Sequence, residues 1–423
     1  MKTYLPRIID KLLKERLEAK GAVLLEGPKW CGKTTSAKEI AASFISIDQP
    51  EMTKQYQSMA ELSPLQLLEG ETPRLIDEWQ IAPNLWNAVR YEVDQRDEFG
   101  QFILTGSAVP AEIDKSMHTG TGRISRLYMR PMSLYESLDS SGKVSISDLF
   151  ASREISAKSD TDLEEIAFLI CRGGWPKSVG LPENPALYQA RDYFEAVVST
   201  DISRVDSVRR DKEKAKRILR SYARNVGTKT SLETIRQDVL ANHAGTLDPV
   251  TLYSYRDALT KIFVIEDSPA WNPNLRSKVA IRTTDTRYFV DPSIAAAALE
   301  LGPVDLLNDL STMGLIFENL CVRDLRIYAD YLDGSIYQYR DSNGLECDAV
   351  IHLRNGSYGL IEIKLGGDSL IEEGVNNLNK LASNIDTRKM KEPAFMLVLC
   401  AKAPFAYRRK DGVYVVPITC LKP

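Results

Sequence analysis

The pattern of hydrophobic positions divides the chain into three regions. In the first region, short apolar runs alternate with stretches whose apolar residues recur at helical spacing. The runs predict strands at 22–25, 44–47, 75–76 and 102–104, and the stretches predict helices at 8–18, 36–42, 64–68 and 83–93. Strands that alternate with helices predict an α/β fold with a mostly parallel sheet covered on both faces.

The second and third regions have different patterns. A helical stretch at 163–259 is followed by strand-like segments at 262–266 and 288–290, which predicts a winged-helix arrangement with 251–261 as its last helix. From residue 306 the pattern predicts one long helix to 328, strands at 335–339, 347–353 and 358–365, a helix at 371–381 and a strand at 395–400. We therefore expect domains at 1–138, 163–300 and 305–423, with the Ser- and Asp-rich segment 139–162 as a linker.

Composition narrows the class of protein. The 423 residues are 43% hydrophobic and carry a net charge of −4, so any binding of nucleic acid has to depend on a local basic face. No apolar run approaches the roughly 18 residues needed to span a bilayer, and the charged N-terminal segment does not resemble a signal peptide. The six cysteines form no CxxC pair and only three histidines are present, which argues against a zinc site. We expect a cytoplasmic protein without a membrane partner.

A phosphate-binding loop follows the first predicted strand. The motif G-x-x-x-x-G-K-[ST] is matched at every defined position by Gly27, Pro28, Lys29, Trp30, Cys31, Gly32, Lys33 and Thr34. In this motif the backbone N–H groups surround phosphate oxygens, the lysine reaches the β- and γ-phosphates, and the hydroxyl group binds Mg²⁺. A strand before the motif and a helix after it are the context that the motif requires.

Acidic and polar residues end the next two predicted strands. We expect Asp77 to bind Mg²⁺ and Glu78 to orient or deprotonate the attacking water. Thr105 or Ser107 could sense the γ-phosphate, although an ordinary Gly-Ser turn is nearly as good an interpretation. Arg123 could neutralise transition-state charge, in this subunit or in a neighbour. The Asn-Lys-x-Asp pattern of GTPases is absent, so we predict ATP as the nucleotide.

Carboxylates also cluster in the predicted C-terminal sheet. A two-residue period places Glu362 and Lys364 on one face of their strand, and Asp348 lies within reach in the preceding strand. Glu318, on the long helix, could add a further carboxylate. Such a set could bind Mg²⁺ and hydrolyse a phosphodiester, with the lysine positioning water. The alternative is a solvated sheet face that carries one salt bridge.

Basic residues concentrate in the middle region. The segment 201–229 contains four acidic and ten basic residues. The basic residues are Arg204, Arg209, Arg210, Lys212, Lys214, Lys216, Arg217, Arg220, Arg224 and Lys229. A loop adds Arg276, Lys278, Arg282 and Arg287. In a winged helix these residues would contact DNA phosphates. The alternative is a solvated face that contacts an acidic domain or a protein partner, including a second copy of the chain.

Taken together, these motifs resemble a bacterial and archaeal family of AAA-type ATPases with a C-terminal domain of unknown function, number 4143. The resemblance rests on the segments 27–35, 75–80, 102–107, 173–176, 222–225, 317–320, 339–341, 346–348 and 361–364. It implies a P-loop NTPase core whose phosphate loop extends to Thr35, a winged-helix middle and a C-terminal domain resembling restriction endonucleases. In that domain the resemblance implies Asp348, Glu362 and Lys364 as the signature residues.

Two hypotheses about function follow. In the first, an ATPase binds DNA through its middle region and couples its nucleotide state to a nuclease-like C-terminal domain. In the second, the chain is a nucleotide-dependent regulatory or partner-binding protein whose C-terminal domain does no chemistry. Metal binding at Asp348 and Glu362 distinguishes the two.

Overall fold

The computed structural model describes residues 4–107, 120–206, 208–242, 246–273 and 283–423. The chain divides into two compact units. The first unit comprises Met1–Pro131, Ser199–Arg210 and Tyr255–Val264, and the second comprises Met132–Val198, Asp211–Ser254 and Ile265–Pro423. Two short segments of the middle region thus belong to the N-terminal unit, which the sequence pattern did not predict.

The described part of the first unit contains a five-stranded parallel sheet with the strand order β2-β3-β4-β1-β5. Its strands are β1 (Ala22–Glu26), β2 (Ser43–Ser46), β3 (Arg74–Asp77), β4 (Phe102–Gly106) and β5 (Ile124–Tyr128). The helices around it are α1 (Ile8–Leu17), α2 (Lys33–Lys38), α3 (Thr53–Leu62) and α4 (Leu85–Arg96), with 3-10 turns at Pro64–Leu68 and Trp79–Ile81. The predicted parallel α/β arrangement is confirmed.

Alternate residues of the central strand β1 serve two separate cores. Val23 and Leu25 pack with Leu13 of α1, whereas Ala22 and Leu24 pack with aromatic residues that include Trp86 of α4. A strand buried on both faces has to be apolar throughout, which is why the sequence of β1 shows no alternation. Its last residue, Glu26, is followed directly by the phosphate loop.

The second unit begins with a mainly helical half. Its helices are α5 (Ile146–Phe150), α6 (Leu163–Arg172), α7 (Glu183–Ala196), α9 (Lys212–Arg224), α10 (Leu232–Asn242), α12 (Pro292–Leu299), α13 (Pro303–Asn308) and α14 (Leu310–Tyr331). A π-helical turn, Val197–Asp201, leads from α7 into α8 (Ile202–Arg204) of the first unit, and α11 (Pro249–Lys261) runs from the second unit into the first. None of the helices among the described residues is long and apolar enough to cross a membrane.

The C-terminal half of the second unit contains a mixed sheet. Within the described residues its order is β7-β12-β13-β11-β10-β9-β8. The strands are β7 (Ala157–Lys158), β8 (Gly334–Arg340), β9 (Glu346–Leu353), β10 (Tyr358–Gly366), β11 (Phe395–Lys402), β12 (Phe405–Arg408) and β13 (Tyr414–Pro417). Helix α15 (Asp368–Asn384) covers β10, and β6 (Val144–Ser145) pairs with β14 (Leu421–Lys422).

The segment 139–162, for which the sequence predicts a linker, instead contains β6, α5 and β7, and both strands pair with C-terminal strands of the same unit. Its serines are capping and docking residues. Ser145 accepts a hydrogen bond from Ser147 N at the start of α5, and Ser140 donates to the carbonyl of Leu421 at 2.6 Å. Serine is common both in linkers and in such caps, and composition alone does not separate the two.

The single long helix predicted from 306 to 328 is two helices. Asp309 interrupts it, because its side chain accepts hydrogen bonds from the backbone N–H of Thr312 at 3.1 Å and from its hydroxyl group at 2.6 Å. Aspartate in this position caps the N-terminus of a new helix, α14.

A buried guanidinium group joins four segments of the second unit. Arg323 of α14 donates to Asp291 at 2.9 Å and to Asp324 at 2.7 Å, and all three side chains are 1% exposed or less. The same two carboxylates accept the backbone N–H groups of Gly174 and Leu134, each at 2.9 Å. Every charge is therefore both paired and hydrogen-bonded, as burial requires.

Arg323→Met should lower the free energy of unfolding of the second unit by about 3–5 kcal/mol, because it leaves two buried carboxylates without their cation. Urea unfolding followed by circular dichroism measures this change. The matched control is Arg354→Met, which removes an exposed ion pair with Asp333 and should leave the unfolding curve unchanged. Equal unfolding curves for the two variants would contradict the role assigned to Arg323.

Candidate nucleotide site and carboxylate site

The phosphate loop connects β1 to α2 and depends on two glycines. Gly27 has φ 152°, and a Cβ atom at this residue would lie 2.1 Å from the carbonyl oxygen of Met129. Gly32 has φ 104° and precedes the first residue of α2. Both backbone conformations are ones that residues with a side chain rarely adopt. The glycines that the motif requires are therefore also required by the local geometry.

Lys33 lies inside the loop. Its ammonium group donates to the carbonyl oxygens of Gly27 at 2.9 Å and Pro28 at 2.7 Å, and the side chain is buried. A second cation supports the loop from outside, since Arg7 donates to the carbonyl of Cys31 at 2.8 Å. Arg7 has no place in the motif, and sequence reasoning missed it.

Thr34 and Asp77 face each other at the carboxyl end of the sheet. The Thr34 hydroxyl group donates to Asp77 Oδ1 at 2.8 Å, and Ser46 Oγ lies 3.4 Å from Asp77 Oδ2. Thr105, which is paired with Asp77 in the register of β3 and β4, donates to the same carboxylate. A hydroxyl and a carboxylate oxygen side by side fit the oxygen ligands that Mg²⁺ prefers.

Glu78 follows Asp77 in a left-handed conformation, with φ 54°. Gln80 donates to its carboxylate, and Ser107 Oγ lies 3.4 Å from it. Burial raises the pKa of Glu78, the charge of Lys33 opposes this rise, and the charge of Asp77 adds to it. Thr105 therefore lies next to the carboxylate of Asp77, and Ser107 lies next to the carboxylate of Glu78.

Three further residues predicted to bind nucleotide have side chains that solvent reaches. Lys29 forms an ion pair with Asp201 at 2.6 Å, both within the first unit. Trp30 is 45% exposed, and Thr35 is exposed on the first turn of α2. The contact with Asp201 was not predictable, because 172 residues separate the partners.

Arg123 lies away from the phosphate loop of its own chain, which corrects its prediction as a nucleotide contact in this subunit. It precedes β5, whose first residue is paired with Ala22 at the start of β1, whereas the loop follows the end of β1. Its guanidinium group pairs with Asp94 at the surface. The sequence pattern did not identify β5 and so could not show which end of a strand Arg123 occupies. A role toward a neighbouring subunit stays a prediction.

The predicted carboxylate cluster forms in the second unit. The antiparallel register of β9 and β10 pairs Ala349 with Ile361, which brings Asp348 and Glu362 together. Asp348 accepts the backbone N–H of Ile363 at 2.8 Å, and Lys364 contacts Glu362 at 3.1 Å. Glu362 is 1% exposed, and the side chain of Asn377 approaches its carboxylate. Within the described residues no donor meets its Oε1 atom with hydrogen-bond geometry.

Glu318 adjoins this pair but is held by another residue. The hydroxyl group of the buried Tyr288 donates to its carboxylate. Burial raises the pKa of Glu318, and the charges of Asp348 and Glu362 raise it further. Among the described residues, no three His, Cys, Asp or Glu side chains converge so that they could hold a metal ion together. Glu318, Asp348 and Glu362 therefore do not form such a group in this structure, and the carboxylate of Glu318 accepts the Tyr288 hydroxyl.

Asp348 and Glu362 remain as a two-carboxylate set. Burial raises the pKa of both groups, and the charge of Lys364 opposes the rise in each. Mg²⁺ is commonly bound through one or two carboxylates, with water and phosphate oxygens as the other ligands. The two carboxylates fit such an ion. Sequence reasoning missed two neighbours of this set, Tyr288 and Lys229, since both come from the middle region.

Many cations of the basic middle region lie near acids of the same chain. Within the described residues, six of its ten cations form ion pairs: Arg210, Lys212, Lys216, Arg220, Arg224 and Lys229. Arg287 is buried and paired with Asp267 at 2.6 Å, so it does not present a charge to DNA. Antiparallel bridges join Ile265 to Phe289 and Ser268 to Thr286. Arg276, Lys278 and Arg282 lie outside the described residues.

Comparison with known protein families assigns both sites to recognised domains. Residues 19–138 match an AAA domain, residues 163–305 match a domain of unknown function, DUF8612, and residues 313–421 match another, DUF4143. The chain joins an AAA-type ATPase domain to a DUF4143 domain. The AAA domain has the P-loop NTPase fold and contains the phosphate loop with Asp77 and Glu78, and the DUF4143 domain contains Glu318, Asp348 and Glu362.

Individual relatives are distant. Uncharacterized proteins of Mycobacterium bovis and Mycobacterium tuberculosis are each 25% identical over 360 residues, which cover 83% of this chain and 72% of theirs. A Walker-type ATPase of Pyrococcus abyssi is 17% identical, with a TM-score of 0.41, and the match covers 68% of this chain and 94% of that protein. A signal-transduction ATPase with numerous domains, from Pyrococcus horikoshii, is 15% identical, with a TM-score of 0.26, over 77% of this chain and 48% of that protein.

Gly27→Ala should weaken the binding of a fluorescent ATP analogue by at least about tenfold, because the new Cβ would displace the loop from the Met129 carbonyl. Gly122→Ala is the matched control. It also has a positive φ, 85°, but its Cβ would meet no atom within 4 Å. If Gly27→Ala binds nucleotide as tightly as wild type, the close approach of Gly27 to the Met129 carbonyl does not shape the site.

Proposed function

We propose that the AAA domain hydrolyses ATP. The observation that carries this proposal is the 2.8 Å contact between Thr34 Oγ1 and Asp77 Oδ1, with Lys33 in the loop and Glu78 as the next residue. A metal-binding hydroxyl group, a metal-binding carboxylate, a phosphate-binding lysine and a second acid are the parts that this reaction requires.

Each residue has a separate task. Thr34 and Asp77 would hold Mg²⁺, which neutralises charge on the phosphates. Lys33 exchanges the carbonyl oxygens of Gly27 and Pro28 for phosphate oxygens when the nucleotide binds. Glu78, kept in position by Gln80, accepts the proton of the attacking water or orients it. Because burial favours the protonated form of Glu78, the nearby charge of Lys33 helps to keep it available as a base.

Glu78→Gln should retain ATP binding and lower the rate of phosphate release by at least about 100-fold, because the amide cannot accept the proton. Lys33→Ala should lose both binding and turnover. A coupled phosphate-release assay and binding of a fluorescent ATP analogue measure the two effects. Glu92→Gln, which alters a partly buried acid of α4 paired with Arg96, is the control. Turnover at the wild-type rate in Glu78→Gln would remove that residue from the mechanism.

We further propose that the nucleotide state controls the second unit. Lys29 of the phosphate loop is bound to Asp201, and Asp201 belongs to a segment of the first unit that continues along the chain into α9 of the second. A change in the loop on nucleotide binding therefore acts on a segment with a direct covalent connection to the second unit. Switching of this kind requires only that the nucleotide bind two conformations with different affinity.

A second proposed activity is metal-dependent cleavage of DNA in the DUF4143 domain. The observation that favours it is the buried Glu362 Oε1 atom beside Asp348 and Lys364. The side chain of Asn377 approaches this carboxylate, but no donor among the described residues meets Oε1 with hydrogen-bond geometry. A buried carboxylate oxygen without a donor is costly, and a cation would relieve this cost. Asp348 and Glu362 would hold the ion, and Lys364 would position the attacking water. The alternative is a regulatory or partner-binding domain without chemistry.

Asp348→Asn and Glu362→Gln should abolish Mn²⁺ binding in calorimetry and leave ATP hydrolysis unchanged. Lys364→Ala should lower Mn²⁺-dependent DNA cleavage by at least about 100-fold, because water loses its positioning group. Asp333→Asn, which alters an exposed acid of the same domain, is the control. Cleavage that survives Lys364→Ala would eliminate the assigned role, and a wild-type protein that binds no Mn²⁺ would favour the regulatory alternative.

A further inference from the structure

A lysine of the middle region lies at the edge of the carboxylate site. Lys229 follows α9, and its side chain is 11% exposed. Gly227, with φ 72°, brings the same turn so close to α14 that a Cβ atom there would lie 3.2 Å from Glu318 Oε2. The charge of Lys229 acts on both Asp348 and Glu318. The DUF4143 site therefore includes a cation from outside its own domain.

The ammonium group of Lys229 makes long contacts with the described residues around it. It lies 3.6 Å from Glu346 Oε2 and 3.4 Å from the carbonyl oxygen of Tyr339. Charge-assisted hydrogen bonds to carboxylates are typically about 2.7–2.9 Å long. Glu346 has a second and closer partner, since Arg340 Nε lies 3.1 Å from its other oxygen. Lys229 can thus exchange Glu346 for another anion without leaving that acid unpaired.

The backbone around Lys229 is fixed on both sides. Gly227 N donates to the carbonyl of Arg287, and Arg287 N donates to the carbonyl of Thr228, each at 2.9 Å. Arg287 Nε donates to the carbonyl of Thr230, also at 2.9 Å. Lys364, by contrast, is engaged by Glu362 at 3.1 Å and by Glu373 at 3.3 Å. Lys229 therefore has the longer contacts of these two lysines, and its ammonium group can turn toward a ligand.

We propose that Lys229 binds a phosphate group of the DNA strand at the carboxylate site. This inference rests on the DNA-cleaving role proposed above. The turn that carries Lys229 is fixed, and its ammonium group interacts with the charges of Asp348 and Glu318. A phosphodiester at the carboxylate site would bring its negative charge to the same place. Lys229 is therefore a substrate-binding residue that the DUF8612 region supplies to the DUF4143 domain.

The test measures the affinity of the full-length protein for a fluorescein-labelled 20-base-pair DNA duplex in Ca²⁺, over a range of salt concentrations. Lys229→Met should weaken binding about tenfold and reduce the slope of log affinity against log salt by about 0.9, which is the contribution of one phosphate contact. Lys229→Arg should restore both. Lys389→Met is the matched control, because Lys389 also contacts an acid loosely, Asp386 at 4.0 Å.

Glu346→Gln separates phosphate binding from a structural role of the Lys229–Glu346 pair. The proposal predicts DNA affinity equal to or tighter than wild type, since Lys229 then has no competing carboxylate. A loss of DNA affinity equal to that of Lys229→Met would overturn the proposal, as would an unchanged salt slope in Lys229→Met.

If Asp348→Asn removes Ca²⁺-dependent binding while Lys229→Met does not, the cleavage role stands and only the inference on Lys229 fails. If wild type binds no DNA, both fail.

Discussion

The buried guanidinium group of Arg323 determines how the second unit is assembled. It joins helix α14 to the start of α12, and its two carboxylate partners bind the backbone at Leu134 and Gly174. A charge in this position is stable only if all its hydrogen bonds are made. The close approach of Gly174 to Met132, where a Cβ atom would lie 2.2 Å from the carbonyl oxygen, follows from the same requirement. Helix α14 in turn positions Glu318 beside the carboxylate site.

Both sites depend on acids held in place by neutral donors. Thr34 and Thr105 donate to Asp77, and Gln80 donates to Glu78. In the DUF4143 domain the N–H of Ile363 donates to Asp348, whereas no described donor meets Glu362 Oε1 with hydrogen-bond geometry. A satisfied carboxylate holds a fixed position, and an unsatisfied one favours an incoming cation. The same principle thus underlies both proposed roles, a preformed nucleotide site and a second site that a cation would complete.

Sequence patterns predicted what is local. The phosphate loop, the acids after β3 and the pairing of Asp348 with Glu362 follow from short spacing and strand periodicity. A count of charges in the middle region omits the distant acids that pair with its cations, such as Glu195 and Glu300, and contact with DNA stays a prediction. Contacts between residues far apart in sequence, such as Lys29 with Asp201 and Tyr288 with Glu318, leave no local signal. Serine is common both in linkers and in helix caps, so its abundance in segment 139–162 predicted a linker.

The central claim is that the nucleotide in the AAA domain controls the DUF4143 domain. It is tested most directly by the affinity of Glu78→Gln protein for duplex DNA in Ca²⁺, measured without nucleotide and with saturating ATP. In this variant ATP should bind and persist, so that the measurement reports one defined state. The account predicts a change of at least about fivefold between the two conditions, the lower end of typical allosteric coupling. Equal affinities, with ATP binding verified in the same samples, would contradict it.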